Sequence, residues 1–593
     1  MTIHFSNYTS LAAESKQIRL LRIHKRDGNP REKDEIVISC TFSIVSLDEF
    51  PEYEALSYVW GDPSKAKTIR INNEPVGITK NLYEALLELR CPDRERTLWA
   101  DAVCINQRDD VERTHQVSIM HDIFQRAAKV VIYLGPSWEG CVEAFEFFEA
   151  TGRDSDLHIA DYREPCVAIN GVRGFTPELR RYLIQFLSLP WWTRLWTVQE
   201  VVLAKSADMH CGLHVMSGDV LFESLGNIFR HVLTCCVDKG VRTRESDLIW
   251  TSLIRLESIN IRRNWSNAFS IFHLFSTFRI RQAHDPRDKI FGLLGLASEQ
   301  YLGAIVPDYT RNTEEIYREV VITCVSITGT LEFLSHCYGQ RALDLPSFIP
   351  DWTALVGENT NANYANRTQI ISYHDASDGA AAEVDFTAFP KASFVGLIYD
   401  TITRTGSSPI TGRITEEALQ SWREYAGVER TVEKSTSDVT EAEIGFAATL
   451  CGGMGSDWKE GGNFLRRASL EEDWHRFTKW EAWIASNYDH AVTFDDDVSL
   501  FNTTMVTATL DRRLVKTSND HLALVPDATE EGDVIAILAG GKVPYVLRPS
   551  QLEDSDGGPC QLYTFIGDAY LYGIMDGEAW PEDNSDLSKI RMM

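Results

Sequence analysis

The sequence contains no run approaching the roughly 18 uninterrupted apolar residues that a membrane-spanning helix requires, so no helical span is expected. It has no CxxC repeat: its 12 cysteines are scattered from Cys40 to Cys560, with one adjacent pair, Cys235-Cys236. That usage excludes a zinc ribbon and a secreted disulfide scaffold. GxxxxGK[ST], HExxH and GxSxG are all absent, which removes the P-loop, zincin and serine-hydrolase signatures. Basic residues are few, 58 against 86 acidic, for a net charge of −28, and so sparse a cationic surface argues against a nucleic-acid partner. The opening MTIHFSNYTS lacks a basic segment followed by an apolar one, so a cytoplasmic protein with reduced thiols is expected, and Asn264-Trp265-Ser266 reads as a chance sequon.

What is present is the composition of a folded chain, 44% hydrophobic and 24% charged. Its 593 residues suggest two to four domains at roughly 100–200 residues each. Residues 1–52 read as a strand-rich lead-in, with IRLLRIH (18–24) and EIVISCTFSIV (35–45) flanking the turn-forming Asp27-Gly28-Asn29-Pro30. From residue 53 strands alternate with helices. YEALSYVW (53–60) ends at Gly61-Asp62-Pro63, TIRIN (68–72) alternates, and Thr79 can cap a helix bearing Leu82, Leu86 and Leu89. LWADAVCIN (98–106) is the next strand candidate. An acidic first turn, Asp109-Asp110-Val111-Glu112, then leads one helix through Val117, Met120, Phe124 and Ala128 to the apolar run AKVVIYLG (128–135).

That grammar predicts an α/β domain over 53–204 built on a parallel sheet, whose ligands belong at the carboxyl ends of the strands. Residues 205–350 read as mainly helical, 351–475 as loops and insertions with some regular structure, and 476–593 as a β-rich region. Within the insertions, CGGMGSD (451–457) reads as a flexible loop.

Three candidate positions stand out. Asp101 falls mid-strand in LWADAVCIN, where a carboxylate needs either a partner or a solvated cleft. In RLWTVQEVV (194–202), Glu200 stands at the lip of an apolar segment, either as an ordinary helix-start charge or as a carboxylate held in a cleft. His210-Cys211-Gly212-Leu213-His214 invites a metal reading if a hairpin around Gly212 places both histidines on one face. With nothing to fix their distance from Cys104, His115 or His121, a turn with part-buried histidines and no metal is expected.

YEALSYVWGD (53–62), LWADAVCINQRDDVERTHQVSIMHDIFQRAAKVVIYLG (98–135) and WWTRLWTVQEVVLA (191–204) resemble the three signature blocks of the fungal heterokaryon-incompatibility (HET) domain. DPRDKIFGLLGLA (285–297), PDYTRNTEEIYREV (307–320) and the 546–578 region are similar to segments found C-terminal to this domain in many such proteins. The resemblance implies fungal nonself recognition with programmed cell death, and a remote relation to TIR domains with their flavodoxin-like sheet. It implies Glu200 as the catalytic carboxylate and NAD as the candidate substrate, with no cofactor required. Trp60, Gly61, Asp62, Asp101, Asn106, Gln107, Arg194 and Trp196 would line the nucleotide pocket. A carboxylate beside the ribose suits cleavage of the nicotinamide–ribose bond, whose transition state is oxocarbenium-like. Trp60 or Trp196 could stack on a base, and Arg194 could pair with phosphate or lock Glu200 in an ion pair. Expected partners are the nucleotide and either a second copy or an incompatibility partner protein. The rival reading is a TIR-like self-association module without turnover.

Overall fold

In the computed structural model the apolar runs become strands of one sheet. The structure describes residues 8–12, 15–25, 37–159, 165–234, 236, 256, 259, 270–406, 414–429, 439–459, 462–486, 496–550 and 561–593. The turn at 27–30 and the sequon at 264–266 lie outside these residues. The chain forms two compact units, residues 1–269 with 281–312, and residues 270–280 with 313–593.

Among the described residues of the first unit, nine strands make one sheet: β1 (Gln17–Ile23), β2 (Ser39–Ser46), β3 (Glu54–Tyr58), β4 (Ala66–Ile71), β5 (Glu74–Thr79), β6 (Arg96–Trp99), β7 (Lys129–Gly135), and, after the short hairpin β8 (Ala168–Ile169) and β9 (Val172–Arg173), β10 (Ala207–Cys211) and β11 (His214–Ser217). Their order is β11-β10-β7-β3-β6-β1-β2-β4-β5. The four central strands β6-β3-β7-β10 are parallel, in chain order second, first, third and fourth. Antiparallel β1 continues the sheet from β6. Parallel neighbours need crossovers. These are α1 (Lys80–Leu89), then α2 (Asp101–Cys104), α3 (Asp110–Ser118) and α4 (Met120–Arg126), then α5 (Cys141–Arg153), α6 (Pro177–Leu187) and α7 (Trp196–Val202). A further helix, α8 (Gly218–Thr234), comes after β11. Burial of both faces explains the unalternated apolar runs of β3 and β7: Ala55, Leu56, Val130, Val131 and Ile132 are all buried. Each of the larger side chains contributes roughly 1.5–3 kcal/mol.

Several boundaries differ from the sequence expectation. The lead-in is not separate, because β1 and β2 join the sheet beside β6. LWADAVCIN is not one strand: β6 stops at Trp99, and Asp101–Cys104 forms a helical turn too short to display a helical period. Thr79 caps α1 by accepting from the Leu82 N–H, and Asp109 caps α3 through the Val111 and Glu112 N–H groups. The expected single helix after Asp109 is broken at Ile119, where α4 begins. The region after 204 is not purely helical, since β10 pairs in parallel with β7 and β11 forms a hairpin on it.

The second unit is built around β13 (Ala392–Thr405), with the short β12 (Val384–Asp385) paired on it, inside the stretch read as loops and insertions, where helices Glu358–Ile371, Glu416–Ala426 and Glu441–Leu450 also form. CGGMGSD is not a loop throughout: Met454–Lys459 pairs with Gly462–Arg467. The β-rich region begins with two helices, Leu470–Ala485 and Asp496–Thr509. Val534–Leu538, Tyr545–Ser550, Leu562–Asp568, Ser588–Met592 and β13 pair in succession, and β13 pairs back to Val534–Leu538, closing a barrel. Ile402, Ile535, Ile537 and Val546 of these strands form one buried cluster with Val515 of Arg512–Thr517 and Val525 of Leu522–Pro526. Among the described residues no helix is long and apolar enough to cross a membrane.

A chain ending at residue 205 would leave β7 as an unpaired, apolar sheet edge. Residues 1–312 should unfold cooperatively when heated and followed by circular dichroism, whereas residues 1–205 should not; equal transitions in both would contradict the nine-stranded arrangement.

Candidate functional site

Ser57 is the one hydroxyl in the buried run EALSY apart from the terminal tyrosine, and a buried polar group must find a partner. It finds two. The Trp191 indole N–H donates to Ser57 Oγ at 2.8 Å, and the Ser57 hydroxyl donates to Glu200 Oε2. An indole nitrogen can only donate, so it occupies an acceptor site on Ser57 and directs the single hydroxyl hydrogen to the glutamate. Trp191 sits in the turn Pro190–Thr193 and Glu200 in the middle of α7. Glu200 is 3% exposed, so it is no helix-start surface charge.

Burial pushes the Glu200 carboxyl up to about 7; the Arg194 guanidinium and the Ser57 hydrogen bond oppose that rise, and the Asp101 charge adds to it. Asp101 is also raised, chiefly by burial, and is held down by Arg194 and the Trp60 indole. Two carboxyls thus share the field of one guanidinium, and the Asp101 charge adds to the cost of ionising the buried Glu200. Arg194 donates to the Tyr58 carbonyl at the end of β3. It influences Glu200 through its charge, and among the described residues no direct Arg194–Glu200 ion pair forms.

Asp101 lies beyond the end of β6, where its carboxylate accepts the Trp60 indole N–H at 2.8 Å and the Ala102 N–H at 2.7 Å. Trp60 is 38% exposed and forms the outer rim. Gln107 donates to the Asp101 backbone carbonyl at 2.9 Å. Gly61 has φ of +77°, and a Cβ there would meet the Asn81 amide at 2.7 Å, so only glycine fits the turn leaving β3.

Other sequence candidates serve elsewhere. Asp62 is exposed and accepts from the Ser64 N–H and hydroxyl, which hold its carboxyl below the usual range. The Asn106 N–H goes to Glu112, which pairs with the buried Arg19. The Trp196 indole donates to Asp288 at 3.2 Å, and Tyr309 donates to the other Asp288 oxygen at 2.6 Å. Burial raises Asp288 to about 6. His210 and His214 do not share a face: Cys211 is opposite His214 and His210 is opposite Val215, which places the histidines on opposite sides of the ribbon.

Sequence reasoning missed Ser57, Trp191, Asp288 and Arg281. The lone Ser57 in an apolar strand was the available signal. Arg281 is 1% exposed and donates to the Trp192 carbonyl at 2.8 Å, fixing the turn ahead of α7. Leu195 and Gln282 complete that clamp through the backbone.

Chemically, a dry carboxyl that changes charge near neutral pH can hold or release a proton, or stabilise a positive centre when ionised. Residues 53–200 match the family model described as heterokaryon incompatibility protein (HET), and residues 484–586 match the Het-6 beta-barrel domain. The chain is 24% identical over 682 aligned positions to heterokaryon incompatibility protein 6, OR allele, of Neurospora crassa, with 96% of this chain and 95% of that protein covered. No solved structure matches the chain.

A raised carboxyl favours folding most at low pH. The Glu200 contribution is complete below the unfolded value of 4.5 and is lost as pH rises through about 7. A shift of that size corresponds to roughly 3 kcal/mol. In denaturant titrations from pH 4.5 to 8, wild type should therefore lose stability relative to Glu200→Gln by up to that amount, and a difference that does not vary with pH would contradict the assignment.

Proposed function

Because the chain is a HET-domain protein that also carries a Het-6 barrel domain, we propose that it acts in heterokaryon incompatibility, the fungal nonself response that ends in programmed cell death, and that its HET domain does so by cleaving NAD. The carrying observation is the buried Glu200 carboxyl, hydrogen-bonded to Ser57 at the carboxyl end of β3 with a pKa near neutrality. The second-first-third-fourth strand order supports a flavodoxin-like and TIR-like reading. In sheets of that order a nucleotide binds where the first and third parallel strands meet, and Ser57 of β3 lies opposite Ile132 of β7 at that junction.

In this reading Trp60 offers its exposed face to a base, and Arg194 faces a phosphate or holds the strand end. The bond between ribose C1′ and the nicotinamide nitrogen breaks, and its electron pair leaves with nicotinamide. Ionised Glu200 stabilises the oxocarbenium-like ribose, aided by Asp101. Water then adds at C1′, and the proton it releases passes to a carboxylate or to solvent. Since Glu200 is covered in the structure, substrate must open the Ser57–Glu200 contact, a step that self-association or a partner protein would favour.

The test is nicotinamide release from NAD by the full-length chain at concentrations that permit self-association. Glu200→Gln should lower the rate by roughly 100-fold or more, and Asp101→Asn by a smaller factor. A folded wild-type protein without turnover would move the assignment to a TIR-like self-association module.

A further inference from the structure

Outside the strand-edge site, a second cluster lies where α5 and α8 pack together. The helices are locked by a Thr151–Ser224 hydroxyl contact of 2.6 Å and by the Asn227 amide on the Thr151 carbonyl at 2.8 Å. His158 comes shortly after the end of α5, His231 occupies the last turn of α8, and Cys236 lies just beyond that helix, with its N–H on the His231 carbonyl at 2.7 Å. One ligand atom from each of the three side chains lies within 4.8 Å of the other two. We propose that His158, His231 and Cys236 hold a zinc ion.

Three features carry this. The ligand types are two imidazoles and a thiolate, a borderline-soft set that suits zinc. The spacing fits: with Zn–N near 2.0–2.1 Å and Zn–S near 2.3 Å, tetrahedral ligand atoms lie roughly 3.3–3.6 Å apart, and His158 Nδ1 is 3.3 Å from Cys236 Sγ. The two imidazole rings meet edge to face with centroids 4.7 Å apart, and the three ligand atoms all lie within 4.8 Å of one another. Finally, one ligand is already oriented. His231 Nε2 is 2.8 Å from the Ser155 carbonyl, an acceptor that also takes Arg230 Nη2 at 2.6 Å. A carbonyl forces the hydrogen onto Nε2 and leaves Nδ1 as the basic nitrogen, the outer-shell arrangement common to zinc-bound histidines.

Binding replaces the Cys236 thiol proton by zinc, the proton leaving to solvent, so the site carries one thiolate and two neutral imidazoles against the dication. Three protein ligands leave a fourth position for water. The ion would clamp the turn at residues 154–158 to the end of α8.

The experiment uses the full-length chain, reconstituted with zinc, dialysed and analysed for metal content, with cobalt(II) as a spectroscopic replacement. Expected are a stoichiometric zinc and a thiolate-to-cobalt charge-transfer band. Cys236→Ser and His158→Gln should each weaken zinc binding by more than the roughly 10–100-fold that outer-shell changes cost, while Cys91→Ser should leave it unchanged. A wild-type protein that retains no zinc, or a cobalt form without the thiolate band, would overturn the proposal whether or not the variants fold, and so would variants that keep full zinc affinity. The first result would leave a metal-free Cys236–His158 hydrogen bond.

Discussion

A carboxyl group taken out of water must be neutralised, paired or hydrogen-bonded, and Glu200 places that demand at the centre of the sheet's carboxyl edge. Ser57 meets part of it by donating its hydroxyl hydrogen, and Trp191 makes that direction unambiguous by donating to the same oxygen. The arrangement works only if three separate segments are held in register. β3 must carry Ser57 inward beside β7, the turn Pro190–Thr193 must present Trp191, and α7 must turn Glu200 toward the strand. Arg194 and Arg281 serve this positioning, one tying α7's approach to the Tyr58 carbonyl and the other holding the Trp192 carbonyl from beneath. Removing water from the site also strengthens every charge interaction inside it, which is why Arg194 and Asp101 act on Glu200 without touching it.

The 53–200 family match ends before the structural unit does. β10 and β11 complete the sheet, and residues 281–312 return to pack on α7 through Asp288 and Arg281. Trp196, whose position beside Glu200 suggests a stacking role, is instead bonded to Asp288, a further raised carboxyl buried against Tyr309. The segment DPRDKIFGLLGLA thus belongs to the same body as the site and supports it from behind.

Much of this was legible in the sequence where the physics is local. Buried parallel strands read as unbroken apolar runs, so β3 and β7 were visible in YEALSYVW and AKVVIYLG, and the Thr79 cap and the acidic first turn at 109–112 were visible from residue type. Glu200 and Asp101 were also visible as residues whose polarity conflicts with their neighbours, whereas Trp60 came only from the family resemblance. What depends on long-range pairing was not visible. That β1 joins β6, that β10 slots beside β7, and that β13 anchors a barrel closed by strands 130 or more residues later all depend on contacts that no local window contains. Asp62 and Asn106 look like pocket residues because they end a strand or open a turn, yet their side-chain oxygens accept the backbone N–H groups two residues on, those of Ser64 and Arg108.

The most direct measurement is the protonation state of Glu200 itself, read by infrared difference spectroscopy of the full-length protein with Glu200→Gln as the subtracted reference. A buried carboxyl held against Ser57 predicts a protonated C=O stretch that is present in mildly acidic buffer and disappears with a midpoint near pH 7. A band that titrates at the ordinary glutamate value of about 4.5, or no difference band at all, would contradict a dry, proton-holding site at the edge of this sheet.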